Sequence, residues 1–221
     1  MRYWVKTPTI FKVLFPQLVW NFAENEQKVF LTFDDGPSTS VTDSILTILE
    51  EEKVRATFFC IGKNVKKNPE LANKILKKGH SIGNHSMTHV NGWRTRKKSY
   101  LKNINEASEY INSNLFRPPF GRFNFYSLYK ILKKYKLVMW DVLSGDFDEK
   151  LEEKAVINND IKIMKPKSIN NVIKNVSNGS IIVFHDNNKC KEKTLSALLK
   201  TIKKLKEKGF SFEVIPFNPV R

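Results

Sequence analysis

The sequence predicts an α/β fold, a distorted (β/α) barrel of about seven parallel strands. Three observations predict it. Short strand-like runs alternate with amphipathic helical segments, the pattern of a parallel sheet with helical crossovers. The polar residues able to do chemistry lie at or just after the ends of those runs, where barrels gather their active sites. No Pro/Gly/Ser-rich linker, internal repeat or low-complexity tract interrupts the 221 residues, so a single domain, 1–221, is expected, with a core of about 28–215.

Residues 1–27 form a short aromatic and basic segment. Lys6, Pro8, Lys12 and Pro16 break its apolar runs before signal-peptide length, and no small-residue cleavage site follows. It is expected to pack on the domain or to touch a membrane surface. The first strand is "KVFLTF" (28–33). A helix over 41–52 follows, with apolar residues at 41, 45, 46, 48 and 49 and Thr42 or Asp43 as its cap. "RATFFCI" (55–61) is the second strand. Asn68 then Pro69 opens a helix that ends at Gly79. Strands follow at 80–85, 115–120, 137–142, 180–186 and 210–215. Between them stand the helical "KKSYLKNINEASEYIN", "FYSLYKILKKY", "INNVIKNV" and "KTLSALLKTIKKLKEKG".

Composition sets limits on class. Hydrophobic residues make up 41% with 16 Phe, enough for a sizeable core, and no segment reaches transmembrane length. The absence of a targeting segment points to the cytoplasm or the inner membrane surface, and a monomer is expected. The formal net charge of +16 fits solvated lysine-rich helix faces, or attraction to an anionic polymer or membrane surface. No nucleic-acid-binding motif accompanies it, so no nucleic-acid partner is expected. Cys60 and Cys190 do not make a disulfide framework, and Cys60 in "ATFFCIG" reads as a buried core thiol.

The run "LTFDDGPSTS" (31–40) delivers two adjacent carboxylates, Asp34 and Asp35, to a turn. A solvated turn accounts for them on composition alone. The functional alternative gives one carboxylate a cation and the other a proton. "NHSMTH" places His85 and His89 at i, i+4; if the chain turns helical there, both imidazoles share a face and bind a divalent metal. A carboxylate from another strand end makes three ligands and leaves positions open for water or substrate. "FRPPFG" offers Arg117 beside stiffening prolines, as a partner for a carboxylate or an ordinary salt bridge. "SIIVFHD" sends a buried strand into His185, placed to act as a general acid. His80 reads as a strand-start histidine without a catalytic part.

Taken in order, "TFDDGP", "HSMTH", "RPPFG", "WDVLSGDF" and "VFHD" resemble the NodB-type polysaccharide deacetylases of carbohydrate esterase family four, over about residues 28–215. The resemblance implies the NodB-homology barrel and hydrolysis of the N-acetyl group of an amino sugar in a peptidoglycan- or chitin-like glycan. By position, Asp34 matches the catalytic base and Arg117 the residue that holds it. Asp35, His85 and His89 match the ligands of one divalent metal, zinc by expectation, with cobalt, nickel or manganese as alternatives. His185 matches the acid and Asp146 the carboxylate that tunes it. Phe120 stands where the family usually has Tyr, whose backbone N–H serves the oxyanion. Phe147 replaces a usual Trp in the acetyl pocket, and Val183 replaces a usual Leu in its apolar wall. Two rival readings remain beside this one: a deacylase of a small or lipid-linked sugar precursor, and a catalytically silent glycan-binding module on the same fold.

Overall fold

A computed structural model describes residues 3–22, 26–148, 152–157 and 161–216, the stretch 152–166 by its backbone alone. In chain order the elements are α1 (Thr9–Leu14), β1 (Lys28–Asp34), α2 (Thr42–Glu51), β2 (Thr57–Cys60), α3 (Gly62–Lys67), α4 (Pro69–Lys77) and β3 (Ser81–Asn84). There follow α5 (Lys97–Ser108), β4 (Leu115–Phe116), 3-10 turns at Pro119–Gly121 and Phe125–Ser127, α6 (Leu128–Leu132), β5 (Lys136–Leu137) and β6 (Val142–Leu143). Last come β7 (Glu152–Ile157), β8 (Ile161–Pro166), α7 (Lys167–Asn175), β9 (Ile181–His185), α8 (Lys191–Glu207) and β10 (Ser211–Phe212).

Seven parallel strands run in the order β5-β4-β3-β2-β1-β9-β6, and β10 adds to the start of β1. This is the expected α/β architecture, and its closure is unusual. The expected single strand over 137–142 divides in two. Its first part pairs with β4, its last part with β9, so one extended run supplies both ends of the ladder and curls the sheet into a distorted barrel. Where the run changes partner, the carbonyls of Val138 and Met139 turn inward and accept from Arg117 Nε and Nη2, at 3.3 and 2.9 Å. Buried backbone acceptors need a donor, and here a side chain from the end of β4 provides it.

Period-two alternation sorts the strand residues into two sets. Leu31, Phe33, Phe58, Ile182 and Phe184 face outward and join Ile45 and Leu49 of α2 and Leu198 and Ile202 of α8 in the main core. Each fully buried Leu or Phe there contributes on the order of 1.5–3 kcal/mol. Thr32, Asp34, Val183 and His185 lie on the other face of β1 and β9, which lines the barrel. Both cysteines are free and buried, and burial pushes the Cys60 thiol well above its ordinary value. His80 accepts from the Ala56 N–H at 3.2 Å, and burial lowers it to about 4, so it is a structural histidine.

Further local expectations differ from the structure. The strand from 115 ends at Phe116, because Pro118 and Pro119 carry no N–H and the chain tightens into a 3-10 turn. The helix α2 is capped without Thr42 or Asp43 acting on its own N-terminus; Thr42 Oγ1 instead accepts from the Ser38 N–H. No helix follows His85, since Ser86 and His89 both take positive φ. The helix α3 and the antiparallel β7–β8 hairpin were not expected at all.

The N-terminal segment packs on the domain and fills the wedge where the closing run diverges. Val19 bonds into the ladder at Val138 and Lys6 at Val142. Lys6 and Lys12 both reach the buried Asp141, at 2.6 and 2.7 Å, and Ser180 donates to the same carboxylate. Burial works against the Asp141 charge, and hydrogen bonds from Lys12, Lys6 and Ser180 overcome it and hold the carboxyl below its usual range. Asp141→Ala should cost about 1.5–3 kcal/mol, the worth of lost charge-assisted hydrogen bonds, because the partly exposed lysines rehydrate. A lower urea midpoint at unchanged slope reads this out. A group with a depressed folded pKa adds stability above its unfolded value, near 4. The gap between wild type and variant should therefore close as the pH falls below about 4.

Candidate active site

Asp34 closes β1 and His185 closes β9, and the two residues are register partners on adjacent strands. Asp34 Oδ1 receives Arg117 Nη1 at 2.7 Å, and the same Nη1 reaches Thr32 Oγ1 at 2.8 Å. With Nε and Nη2 on the two strand-break carbonyls, every face of this fully buried guanidinium is used. It also lies over the Phe59 ring, 4.0 Å from the centroid. Asp34 is thus locked at a fixed rotamer in the barrel mouth.

Asp35 leaves the strand with φ 78°, a left-handed conformation that Asp tolerates better than most residues. That twist turns its carboxylate away from Asp34. Gly36 then passes so close to Asp186 that a Cβ on it would lie 2.2 Å from Asp186 Oδ2. Asn64 Nδ2 holds the Asp35 carbonyl at 2.8 Å, and Asn187 Nδ2 holds Oδ2 at 2.7 Å. Asp35 Oδ1 is buried and has no aligned hydrogen-bond donor among the described residues; it lies 3.1 Å from His89 Nε2 and 3.6 Å from His85 Nε2.

His85 Nδ1 lies 2.8 Å from the Arg117 carbonyl; with Nδ1–H donating to that oxygen, the Nε2 lone pair is left toward Asp35. Complete burial lowers His85 below the ordinary histidine value, against the pull of Asp34 and Asp35, and so favours the neutral ring a metal needs. The donor atoms of Asp35, His85 and His89 all lie within 4.8 Å of one another. A carboxylate oxygen facing two imidazole nitrogens is a donor set that fits a divalent cation. The two histidines meet through a loop with two positive-φ residues, and not on one helical face.

The other side of the mouth belongs to His185 and Asp146. Asp146 Oδ1 lies 2.8 Å from His185 Nδ1 and accepts Ser144 Oγ at 3.0 Å. Oδ2 accepts the His185 N–H at 2.8 Å and Thr194 Oγ1 at 2.6 Å. Burial alone would lower His185; the Asp146 charge and hydrogen bond, then Asp35 and Asp34, raise it to about 9. Phe147 sets its ring edge-on to His185, centroids 5.2 Å apart, and Tyr3 of the N-terminal segment packs on Phe147 at 4.9 Å. The smaller ring at 147 is thus backed by a second aromatic. Val183 is buried two residues before His185 on the same face. Phe120 sits at φ 61° with its ring 4.5 Å from that of His89. All ten residues singled out in the sequence therefore surround one mouth. Asn187, Asn64, Thr194 and Tyr3 were missed. Only Asn187, two residues after His185, stood near a motif.

A model of the polysaccharide deacetylase family matches residues 23–140. A peptidoglycan-N-acetylglucosamine deacetylase of Bacillus cereus is 31% identical over 205 residues, 90% of this chain and 91% of that protein. A chitooligosaccharide deacetylase of Rhizobium leguminosarum bv. trifolii is 29% identical over 206 residues, 87% of this chain and 92% of that one. Among solved structures, a peptidoglycan N-acetylglucosamine deacetylase in complex with 4-naphthalen-1-yl-N-oxidanyl-benzamide superposes at TM-score 0.82 with 30% identity, covering 95% of each chain. A carbohydrate esterase family 4 pseudoenzyme from Bacillus anthracis superposes at 0.73 with 25% identity, over 89% of this chain and 66% of that one. The family match spans more than half of the chain, and the Bacillus cereus relative aligns with 90% of it. The chain belongs to the polysaccharide deacetylase family.

Proposed function

We propose that this protein hydrolyses the N-acetyl group of N-acetylglucosamine units in a glycan of the peptidoglycan type, releasing acetate and a free amino sugar. The observation that carries the reading is the division of the mouth: a carboxylate fixed by Arg117 on one side, a charged histidine on the other, and the Asp35–His85–His89 set between them. The peptidoglycan N-acetylglucosamine deacetylase of Bacillus cereus supports the substrate class.

Asp35, His85 and His89 would hold the metal, and zinc suits this set of one oxygen and two nitrogen donors. When bound, a divalent ion there supplies Lewis acidity toward the amide carbonyl and the attacking water. Asp34 Oδ2, free of the Arg117 bond, accepts the water proton as the oxygen adds to the acetamide carbon. The backbone N–H of Phe120 meets the charge that develops on the carbonyl oxygen. His185, bonded to Asp146 through Nδ1, gives its Nε2 proton to the amine as the C–N bond breaks, since an amine anion cannot leave at neutral pH. Phe147 and Val183 wall the acetyl methyl.

Acetate release from N-acetylated peptidoglycan and from chitooligosaccharides tests this. Metal-loaded protein should release acetate, a chelator should abolish it, and zinc should restore it. Asp35→Asn should weaken zinc binding by about 10–100-fold in a competition titration, because a neutral oxygen replaces the ligand charge. A metal-loaded protein that releases no acetate from either substrate would instead be a silent module, as in the pseudoenzyme neighbour.

A further inference from the structure

We infer that the face built from α1, residues 93–98 and residues 122–133 docks on an anionic lipid bilayer. A surface helix ordinarily turns its charges to water and its apolar side chains to the core. The helix α1 turns Phe11 to the core but departs from this elsewhere. Lys12 turns inward to Asp141, while Ile10, Val13 and Leu14 stand exposed, Val13 by 67%. The apolar surface continues past the helix. The Phe15 ring lies 6.0 Å from that of Phe125, and Tyr126 and Tyr129 follow, exposed by 82% and 70%. At the other end, Trp4 packs on Phe11 with centroids 5.3 Å apart. Among the described residues, the exposed large apolar side chains outside this face and the adjoining mouth are Leu76 and Tyr110, which line a separate groove beside α4.

Positive charge dominates the rim of the face, although Glu106 and Glu109 share a groove with Lys98 and Asp148 lies at Tyr3. Residues 3–22, 86–105 and 110–140, the segments that contain it, include no Asp or Glu. Arg94, Arg96, Lys97 and Lys130 are exposed at its margin. Arg122 lies over the Trp93 ring at 4.8 Å and Lys133 over the Tyr129 ring at 4.5 Å. Aromatic rings mixed with cations around an aliphatic centre match the chemistry of a headgroup layer. A glycan stacks on rings but gains nothing from bare Ile, Val and Leu side chains. A second copy would press one basic rim against another. The cleft of ≈ 220 Å³ lined by Trp4, Trp93 and Phe120 joins this face to the Asp35–His85–His89 mouth, so docking sets the mouth beside the bilayer.

Flotation of the full, metal-loaded chain tests the inference, with vesicles of phosphatidylglycerol and phosphatidylcholine in equal parts and with phosphatidylcholine alone. Two variants are compared, Ile10→Ser/Val13→Ser/Leu14→Ser and Tyr126→Ser/Tyr129→Ser, each checked for an unchanged melting temperature. The wild type should float with the anionic vesicles and much less with the neutral ones or in high salt. Each variant should lose about tenfold in the floated fraction, since apolar burial and charge act together at such surfaces. Wild-type protein that stays unbound to anionic vesicles, or variants that float as the wild type does, would overturn it. So would variants that lose only retention on insoluble peptidoglycan, or only a dimer in sedimentation velocity. Hydrolysis of a soluble chitooligosaccharide by the variants should be unchanged, and that readout fails separately if the deacetylase reading is wrong.

Discussion

Asp34→Asn is expected to lower turnover by about 10²–10⁴-fold, the usual worth of a positioned proton acceptor, while zinc affinity stays near that of the wild type. Asn keeps the shape and still accepts the Arg117 Nη1 bond through its carbonyl oxygen, but it cannot take a proton. Asp34 contributes no atom to the cluster of candidate ligands, so the metal should be indifferent. The paired measurement is decisive: single-turnover acetate release beside a zinc competition titration. Near-normal turnover would remove Asp34 as the base. A parallel loss of zinc would mean that Asp34, and not only Asp35, serves the metal.

The second large effect concerns the basic side of the pH profile. His185 must be charged to protonate the amine, and its raised value of about 9 keeps it so through neutral pH. Activity should therefore persist above neutral pH and fall as the pH passes that raised value, which a bound cation brings below about 9. A bound cation offsets what Asp35 and Asp34 add, which leaves Asp146 as the lasting support. Asp146→Asn removes that charge, so the basic limb should move down, toward the ordinary histidine value near 6.5. The activity lost at pH 8 should then be partly recovered at lower pH, which a merely structural injury would not do. A basic limb that ignores the substitution would assign the acid to another group.

How legible this was depended on the distance over which each feature is decided. β1 and β9 read directly from "KVFLTF" and "SIIVFH", since strands buried on both faces are continuous apolar runs. Their terminal Asp34 and His185 came with them. Arg117 was visible as a carboxylate partner, yet its grip on Val138 and Met139 was not, because those carbonyls are free only where the closing run changes partner. The spacing of His85 and His89 suggested a shared helical face. Positive φ at Ser86 and His89 brings them together by another route, and sequence spacing carries no record of it. Lys6 and Lys12 read only as breaks in an apolar run, because their partner Asp141 lies more than a hundred residues further on.

The closing run and the central strand also impose an order on the making of the protein. β1 emerges early, but its Thr32 hydroxyl and the rest of its inner ladder bond to β9, 150 residues later. At about 5–20 residues per second, a ribosome leaves that edge open for roughly ten to thirty seconds. Phe30, Leu31 and Phe33 spend that interval unshielded on one side, a strand edge inviting any other chain. Arg117 likewise waits for the turn at 138–139, and a chain stopped short of β9 carries Asp35, His85 and His89 without His185. Synthesis to at least His185 is needed before the mouth is complete, and until then the growing chain is an open, adhesive intermediate.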